Sequence, residues 1–501
     1  MPNPAAHPNS RLRVIGFVAA VAAMALLAIT ARSFWLDEGY SARFAQQPTL
    51  TDCWNLLRQI KGSDPQMPAY IFWIWCCEKF SGSSELALRA VNLFWFVPAL
   101  IVLVRALAGN RILQTAVFLA ALFSPFAWYY LNEARAYTMQ FSTALILFAT
   151  VCHWARHPET RLADEAGRFF VFAVALFLLC GSSLLSMLLA LAPLALALVL
   201  LPKKRLVDFG KTFWPVWAGA LLALLLLGLY YLWTLHSGDR ATGIATTGWK
   251  NVLFIGYELS GFAGLGPGRL EIRNGGAEVF RPYAAGLLAY ALVVAAVAGL
   301  AVGELLPRLG KKKLLLIFLA VVFPAAIVVA ASAVSHFRVL GRHLAALLPV
   351  FVLLLGCGLA AAWRRGALGK ILAAVFLIFY LTSALSLRFS ARHEKDNYRD
   401  AAAFAKTALA AGKSVWWSAD DNAALYYQVP IVKNGAAENG HAWRVIHATP
   451  EALRAWPAPA VIIASRPDVY DEAGSLAEFL AREPYQLATN LTAFTVWTRR
   501  E

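Results

Sequence analysis

Long apolar runs constrain this chain more than any other feature of its sequence. Many of them approach the ~20 residues that a helix needs to cross a bilayer. Of the 501 residues, 59% are hydrophobic and only 15% are charged, whereas a soluble domain usually has about 25% charged residues. We therefore predict an α-helical polytopic membrane protein with about eleven transmembrane helices. The runs lie at roughly 13–31, 85–104, 112–131, 137–153, 168–181, 184–201, 213–235, 283–303, 314–332, 343–362 and 369–388.

The positive charges predict the orientation of these helices. The net charge is +16, and the basic residues gather in short connections between apolar runs, as the positive-inside rule requires. Six basic sets occupy alternate connections, which predicts a cytoplasmic N-terminus and argues against nucleic acid as the main partner. The expected location is the bacterial inner (plasma) membrane. The sets are Arg11/Arg13, Arg105/Arg111, Arg156/Arg161/Arg168, Lys203/Lys204/Arg205/Lys211, Arg308/Lys311/Lys312/Lys313 and Arg364/Arg365/Lys370.

Two apolar segments need separate treatment. The first run is longer than the apolar part of a signal peptide, about 7–15 residues, which favours a retained first span. Residues 67–82 are too few for a crossing, and a span there would place every later basic loop outside. We therefore expect an interfacial helix in this segment, rich in aromatic residues.

The predicted topology leaves two large loops and one domain on the outer, periplasmic side. Residues 1–389 form the transmembrane domain, with interfacial helices in a first outer loop at 32–84 and a Gly-rich second loop at 236–281. Short β-rich runs alternate with helical patterns in 390–501, which predicts a small α/β domain. The six cysteines are expected to be isolated thiols, and the alternative is a disulfide from Cys53 to Cys76 or Cys77, which would suit an oxidising compartment.

Two adjacent acids open the first outer loop. Asp37 and Glu38 follow directly after a predicted span, where a carboxylate can act as a general base or bind a cation or an acceptor group. The alternative is that Asp37 caps a short helix. Further along the loop, Asp64 lies in a proline-rich turn before Tyr70, and it is either a turn residue or a further acid of the same cavity.

A short outer connection after the third predicted span carries the next candidates. Glu133 and Arg135 lie at the bilayer edge, followed by Tyr137. They form either an ion pair, with snorkelling side chains, or a second acid and a phosphate-binding arginine.

Another short outer turn breaks the positive-inside pattern. It contains His336, Arg338, Arg342 and His343 on the side that should be poor in cations. Arginine binds phosphate through bidentate bonds and a permanent charge, so this turn favours phosphate binding over a solvated loop. A metal site at the two histidines is the weaker alternative, because no paired acids flank them.

The motifs, in their order along the chain, resemble those of the GT-C-fold, polyprenyl-phosphate-dependent glycosyltransferases. These include protein O-mannosyltransferases and the transferases that add aminoarabinose to lipid A. The matching segments are FWLDEGYS, SDPQMPAY, GSSELALRAVN, SPFAWYYLNEARAYTM, FRVLGRHLAALLPV and HEKDNYRDAAAFA. Three residues depart from the family pattern, since Gln66 and Met67 replace a His and a Pro, and His343 stands where Tyr is usual.

The resemblance implies a GT-C-like fold and an inverting transfer of a hexosyl or pentosyl group from a polyprenyl-phosphate sugar. The acceptor would be a lipid, a glycan or a protein. Asp37, Glu38 and Glu133 would be the catalytic carboxylates. Family members differ in their need for a divalent cation, with Mg²⁺ or Mn²⁺ as candidates. The donor would be bound by Asp64, Tyr70, Arg89, Arg135, Tyr137, His336, Arg338, Arg342 and His343.

Two other classes of function compete with this interpretation. A transporter or lipid-carrier flippase would need charged residues near the middle of the spans, and few occur there. A GT-C scaffold without activity, binding only a lipid or a partner, is the second alternative, and the replacements at Gln66 and Met67 keep it open as the weaker interpretation.

Overall fold

A computed structural model describes residues 8–60, 62–237, 246–432 and 440–500 of the chain. Residues 238–245 of the predicted second outer loop and 433–439 of the predicted C-terminal domain lie outside the described residues. The helices up to residue 200 are α1 (Pro8–Ala28), α2 (Leu36–Ala45), α3 (Leu50–Ile60), α4 (Pro68–Ser81), α5 (Glu85–Ala90), α6 (Leu93–Ala106), α7 (Arg111–Leu122), α8 (Pro125–Leu131), α9 (Tyr137–Arg156), α10 (Leu162–Ser182), α11 (Leu184–Leu189) and α12 (Leu191–Leu200).

The second half of the chain adds helices and all the strands. The helices are α13 (Lys203–Thr212), α14 (Trp214–Ser237), α15 (Trp249–Leu259), α16 (Arg269–Gly275), α17 (Ala284–Ser335), α18 (Leu348–Trp363), α19 (Gly366–Phe389), α20 (Tyr398–Ala410), α21 (Asp421–Tyr426), α22 (Pro450–Ala455), α23 (Pro467–Tyr470) and α24 (Ser475–Arg482). The strands are β1 (Val415–Ser418), β2 (Ile431–Val432), β3 (Ala442–Arg444), β4 (Val461–Ser465), β5 (Tyr485–Leu491) and β6 (Phe494–Arg499).

Each predicted span coincides with a helix or with two consecutive helices. Within the described residues, five helical segments are long and apolar enough to cross a membrane, or six if the bent pair α7 and α8 forms one span. The apolar segments Ile15–Ala28 and Leu184–Leu200 are shorter. The α-helical polytopic fold is thus confirmed, and the number of eleven spans stays a prediction.

Three of the predicted spans are broken or joined in ways that the apolar pattern did not show. Pro125 begins α8, and α7 and α8 meet at an angle of 47°, because the proline ring prevents the helix from continuing through that point. The spans predicted at 283–303 and 314–332 join through Gly310, whose φ of 74° interrupts α17. Glycine tolerates this left-handed conformation.

The interfacial segment predicted at 67–82 is a helix, α4, of 14 residues. Its length is about 21 Å at 1.5 Å per residue, less than the ~30 Å of a hydrocarbon core. The three cysteines of this region, like the other three of the chain, are free, so the disulfide considered for Cys53 is absent from the structure.

The described chain divides into two compact units, and each unit consists of three separate segments of the sequence. The first comprises the described residues of Met1–Thr30, Trp54–Trp73 and Arg89–His393. The second comprises those of Ala31–Cys53, Ile74–Leu88 and Glu394–Glu501. The predicted domains, 1–389 and 390–501, stay a prediction.

The first unit is a helical bundle around one apolar core. Small residues allow its helices to approach closely, as is usual for helices that pack in a membrane. A Cβ atom on Gly356 of α18 would lie 2.4 Å from Val117 Cγ2 of α7. A Cβ atom on Gly358 would lie 2.0 Å from the Val297 carbonyl oxygen of α17. These two glycines therefore set the distance of α18 from two neighbours.

The second unit contains one six-stranded sheet in the order β2-β3-β1-β4-β6-β5. Strands β2, β3, β1 and β4 are parallel, whereas β6 pairs antiparallel with both β4 and β5. The central strand β1 is buried along its whole length, as expected of a strand covered on both faces. The predicted small α/β fold in the C-terminal region is therefore confirmed.

The close contact at Gly358 gives a test of the bundle. Gly358→Ala places a methyl group against a backbone oxygen that cannot rotate away, so we expect a loss of on the order of 1–3 kcal/mol in stability. Thermal unfolding of the purified protein in detergent measures this loss. Gly299→Ala in α17 is the control, because a Cβ atom there has no neighbour within 4 Å and alanine favours helix. Equal melting temperatures for the two variants would contradict the packing.

Candidate functional site

The turn between α8 and α9 positions Glu133 and Arg135. Asn92, fully buried, donates from Nδ2 to the carbonyl oxygens of Glu133 at 2.7 Å and Leu131 at 3.1 Å. The Arg135 amide donates to the same Glu133 carbonyl at 2.8 Å. These bonds fix the Glu133 backbone, and its side chain is 0% exposed, so the carboxylate is buried inside the protein.

Arg89 supports the same turn from a distance. Its guanidinium, also fully buried, donates to the Thr30 carbonyl oxygen at 3.0 Å. The Thr30 amide in turn donates to Asn132 Oδ1 at 2.9 Å. Through these two bonds Arg89 holds Asn132, the residue next to Glu133. This contact is structural, and the donor-binding role that the family resemblance implies for Arg89 stays a prediction.

The buried acid Asp64 pairs with Arg135. Arg135 donates from a terminal nitrogen to Asp64 Oδ1 at 2.5 Å, and both side chains are buried. Asp64 begins a 3-10 helix that ends at Gln66, just before Tyr70, which is fully buried in α4. One terminal N–H group of Arg135 is thus used in the ion pair with Asp64.

The outer turn before α18 separates its four predicted residues. His336 and Arg338 are exposed, and His336 has a left-handed φ of 51°. Arg342 is partly buried, with its guanidinium 5.8 Å from the centre of the Tyr137 ring. The Nδ1 atom of His343 accepts from the Leu340 amide at 3.1 Å, so that histidine closes the turn.

A second acid–arginine pair joins this turn and was not predicted from the sequence. Glu258 of α15 is buried, and Arg269 donates to its Oε1 at 2.5 Å. The Gly341 amide donates to Glu258 Oε2 at 3.1 Å. A Cβ atom on Gly341 would lie 2.2 Å from that same oxygen, so any side chain at this position would displace the Glu258 carboxylate. One signal was present, a lone acid in a mostly apolar helix.

Arg269 also contacts the aromatic residues at the end of α8. Its guanidinium lies 4.2 Å from the centre of the Tyr129 ring and donates to the Tyr130 hydroxyl at 2.8 Å. The Tyr130 and Tyr137 rings are 4.9 Å apart, and Arg342 lies over the latter. The cluster therefore contains two arginines, three tyrosines and a buried carboxylate.

The electrostatic surroundings of Arg269 include Glu133 as well. The side chain is 40% exposed. Loss of solvent lowers the pKa of Arg269, but the phenol groups of Tyr129 and Tyr130 and the carboxylates of Glu258 and Glu133 raise it well above its ordinary value. The acid of the α8–α9 turn and the arginine of the glycine-rich loop thus belong to one charged neighbourhood.

Asp37 and Glu38 lie in the second unit, in the first turn of α2. The cap position is Trp35, and its amide donates to Glu38 Oε2 at 3.4 Å. Glu38 is fully buried, whereas Asp37 is partly exposed. Asp37 is therefore not the helix cap. The side chain that caps the start of α2 is that of Glu38.

The described residues contain no group of three or more His, Cys, Asp and Glu side chains that could bind a metal ion. What these residues offer is anion binding. Arginine guanidinium groups beside tyrosine hydroxyls present N–H and O–H donors to a phosphate or another oxyanion. The catalytic and binding roles assigned from the sequence remain predictions.

Comparison with solved structures identifies the fold. The crystal structure of ArnT from Cupriavidus metallidurans in the apo state gives a TM-score of 0.52 at 12% identity, over 98% of this chain and 98% of that chain. The structure of ArnT from Cupriavidus metallidurans bound to undecaprenyl phosphate gives 0.51 at 13% identity, over 97% of each chain. The archaeal oligosaccharyltransferase AglB from Archaeoglobus fulgidus, in complex with an inhibitory peptide and a dolichol-phosphate, gives 0.43 at 11%, over 79% of this chain and 58% of that chain.

The chain thus has an ArnT-like fold, including the small C-terminal sheet. This confirms, at the level of the fold, the resemblance to GT-C glycosyltransferases that the motifs predicted. No protein-family model matches the sequence, and no curated protein matches it.

The buried pair of Asp64 and Arg135 gives a prediction of stability. Asp64→Asn leaves the buried arginine without its countercharge, so we expect a loss of about 3–5 kcal/mol in the free energy of unfolding. The matched control is Glu304→Gln, whose partners Arg308 and Arg364 are 62% and 34% exposed, and there the loss should stay below about 1 kcal/mol. Denaturation of both variants in mixed micelles measures the difference, and similar losses would contradict the assignment of a tight buried pair.

Proposed function

We propose that this chain is a membrane glycosyltransferase that takes a sugar from a polyprenyl-phosphate-linked donor. The observation that carries the proposal is the ArnT-like fold over 97% of both chains, since that ArnT structure holds undecaprenyl phosphate. The family motifs and the arginine–tyrosine cluster support it. The acceptor is a lipid, a glycan or a protein at the outer face of the membrane.

The transfer is a single displacement with inversion at the sugar. An oxygen or nitrogen of the acceptor forms a bond to the anomeric carbon while the bond from that carbon to the phosphate oxygen breaks. The electron pair of the broken bond remains on the polyprenyl phosphate, and the acceptor proton moves to a carboxylate. Asp37 is the proposed base, because Glu38 is occupied as a helix cap. Glu133 is proposed as a second acid of the reaction.

Positive charge stabilises the departing phosphate, which is the main electrostatic requirement of such a reaction. Arg338 and Arg342 have this role, and Arg269 joins them because Glu258 and Tyr130 orient its guanidinium. Arg135 is a further proposed phosphate-binding arginine, beside its ion pair with Asp64. His336, His343, Tyr70, Tyr137 and Arg89 shape the pocket. Any requirement for Mg²⁺ or Mn²⁺ is open to direct titration.

The orientation follows from the basic connections of the sequence. The N-terminus is cytoplasmic, and the C-terminal domain lies in the periplasm, so both outer loops and the site face the same compartment. A flippase or an inactive scaffold is the alternative, and both differ from a transferase in the outcome of the two experiments that follow.

Binding of the carrier is the first test. We expect native mass spectrometry in nanodiscs to detect added undecaprenyl phosphate on the wild-type protein. The double variant Arg338→Ala/Arg342→Ala should bind it at least about tenfold more weakly, since each charge-assisted hydrogen bond contributes roughly 1.5–3 kcal/mol. The control, Arg364→Ala/Arg365→Ala, removes two exposed arginines from another connection and should bind normally. Equal binding by all three proteins would refute the phosphate assignment.

Loss of the base is the second test. Asp37→Asn should bind undecaprenyl phosphate normally but transfer sugar about 10²–10⁴-fold more slowly, the range for general base catalysis. Undecaprenyl phosphate released from undecaprenyl-phosphate-linked pentoses and hexoses, in the presence of membrane lipid extract, measures the rate. Asp52→Asn is the control, because Asp52 is an exposed acid in the first turn of α3. Full activity of a folded Asp37→Asn protein would show that the base is another residue.

A further inference from the structure

The helix that carries Asp37 is bonded to the C-terminal α/β fold. Residues Ala31–Cys53 form one compact unit with Ile74–Leu88 and Glu394–Glu501. The unit therefore joins a segment near the start of the chain to its last hundred residues. The contacts described next all lie within this unit, and they fix α2 on α21.

The two helices approach each other at their backbones. Gly39 lies in the middle of α2, and a Cβ atom there would be 2.6 Å from both Cα and Cβ of Ala423 in α21. Real Cβ atoms do not come so close to a backbone atom, so any side chain at position 39 would push the helices apart. Glycine costs about 1 kcal/mol in a helix interior, and this contact explains its presence.

One carboxylate bonds both helices. Asp420 Oδ1 accepts from the amides of Asn422 at 2.8 Å and Ala423 at 3.2 Å, which caps α21. Its other oxygen, Oδ2, accepts from the Tyr40 hydroxyl of α2 at 2.9 Å. Burial raises the pKa of Asp420, and the Tyr40 hydroxyl opposes that shift, so Tyr40 stabilises the ionised carboxylate. Arg43, one turn further along α2, donates to Asn422 Oδ1.

The chain that leads into α2 is fixed by the same domain. The Phe34 amide donates to the Tyr427 hydroxyl at 2.8 Å, and the Phe34 ring is 5.1 Å from that of Tyr426. The Ser33 hydroxyl oxygen accepts from the Arg399 amide at 2.9 Å. Residues 33 to 43 are thus attached both before and along the helix.

The position of Asp37 follows from these attachments. Asp37 lies three residues before Tyr40, about 4.5 Å along the helix axis, and a single helix of 10 residues moves as a rigid rod. A shift of α2 on α21 therefore displaces the Asp37 carboxylate by a similar distance. In catalysis, a displacement of about 1 Å can reduce the rate about 100-fold.

We infer that the C-terminal α/β domain positions the catalytic carboxylate, with Tyr40 and Asp420 as positioning residues. This inference rests on the proposed function, since it assigns the domain a role in the same reaction. The domain acts through α2, and neither Tyr40 nor Asp420 needs to contact the sugar, the carrier or the acceptor.

The test compares Tyr40→Phe and Asp420→Asn with a matched control. Tyr485→Phe removes a hydroxyl that donates to the Pro459 carbonyl oxygen at 2.6 Å in the same domain, without a bond to α2. Hydrogen–deuterium exchange of residues 36–45 reports whether α2 stays docked. The kcat and KM for undecaprenyl-phosphate-linked sugars report catalysis, and thermal unfolding reports stability.

We expect Tyr40→Phe and Asp420→Asn to exchange faster at 36–45 and to lose about 10–100-fold in kcat, with KM for the donor within about twofold. The double variant should be no worse than Asp420→Asn alone, because the Tyr40 hydroxyl acts through its bond to Asp420. Tyr485→Phe should keep kcat, whatever its melting temperature. Unchanged kcat in a folded Tyr40→Phe protein, or an equal loss in Tyr485→Phe, would overturn the inference.

A failure of the proposed function gives a different result. Wild-type protein that releases undecaprenyl phosphate from none of the pentose or hexose donors would contradict the transferase and, with it, the positioning of a base. Wild-type turnover together with insensitivity to Tyr40→Phe would contradict the positioning alone. Gly39→Ala provides a second variant, which should separate the helices without removing any polar group.

Discussion

Every helix break in an apolar bundle exposes backbone groups that must find partners inside the protein. The break between α8 and α9 is satisfied by Asn92, which binds two carbonyl oxygens. The glycine-rich segment after α15 uses Ser383, whose hydroxyl donates to the Gly261 carbonyl and accepts from the Gly264 amide. The candidate site residues of the first unit lie at or beside such breaks. The hydrogen bonds that satisfy the backbone there therefore also hold these residues in position.

The two acid–arginine pairs of the first unit differ in a way that matches different roles. The pair of Asp64 and Arg135 is buried on both sides, where removing one charge is expensive. In the pair of Glu258 and Arg269, the acid is buried but the arginine is two-fifths exposed. The first pair ties a loop to the α8–α9 turn. The second pair holds the Arg269 guanidinium in one orientation while part of that side chain stays open to solvent.

Local pattern predicted much of this structure, and long-range contact accounts for the rest. The apolar runs predicted the helices, because a helix buried in lipid needs a minimum length and an apolar composition that can both be recognised in the sequence. The strand that contains Trp416 was recognised from its aromatic residues. Glu258 and Arg269 were missed as a pair because their bond depends on how the loop folds back. The association of α2 with α21 was missed for the same reason, since no periodicity in FWLDEGYS indicates a partner near residue 420.

The bond between Tyr40 and Asp420 closes a loop of 380 residues. During synthesis the N-terminal segments leave the ribosome first, at about 5–20 residues per second. Roughly 20 seconds or more therefore pass between the synthesis of α2 and that of its partner α21, and nearly every predicted span is made in that time. The bond between Tyr40 and Asp420, and with it the docking of α2 on α21, can therefore form only near the end of synthesis, after residue 420 has been made.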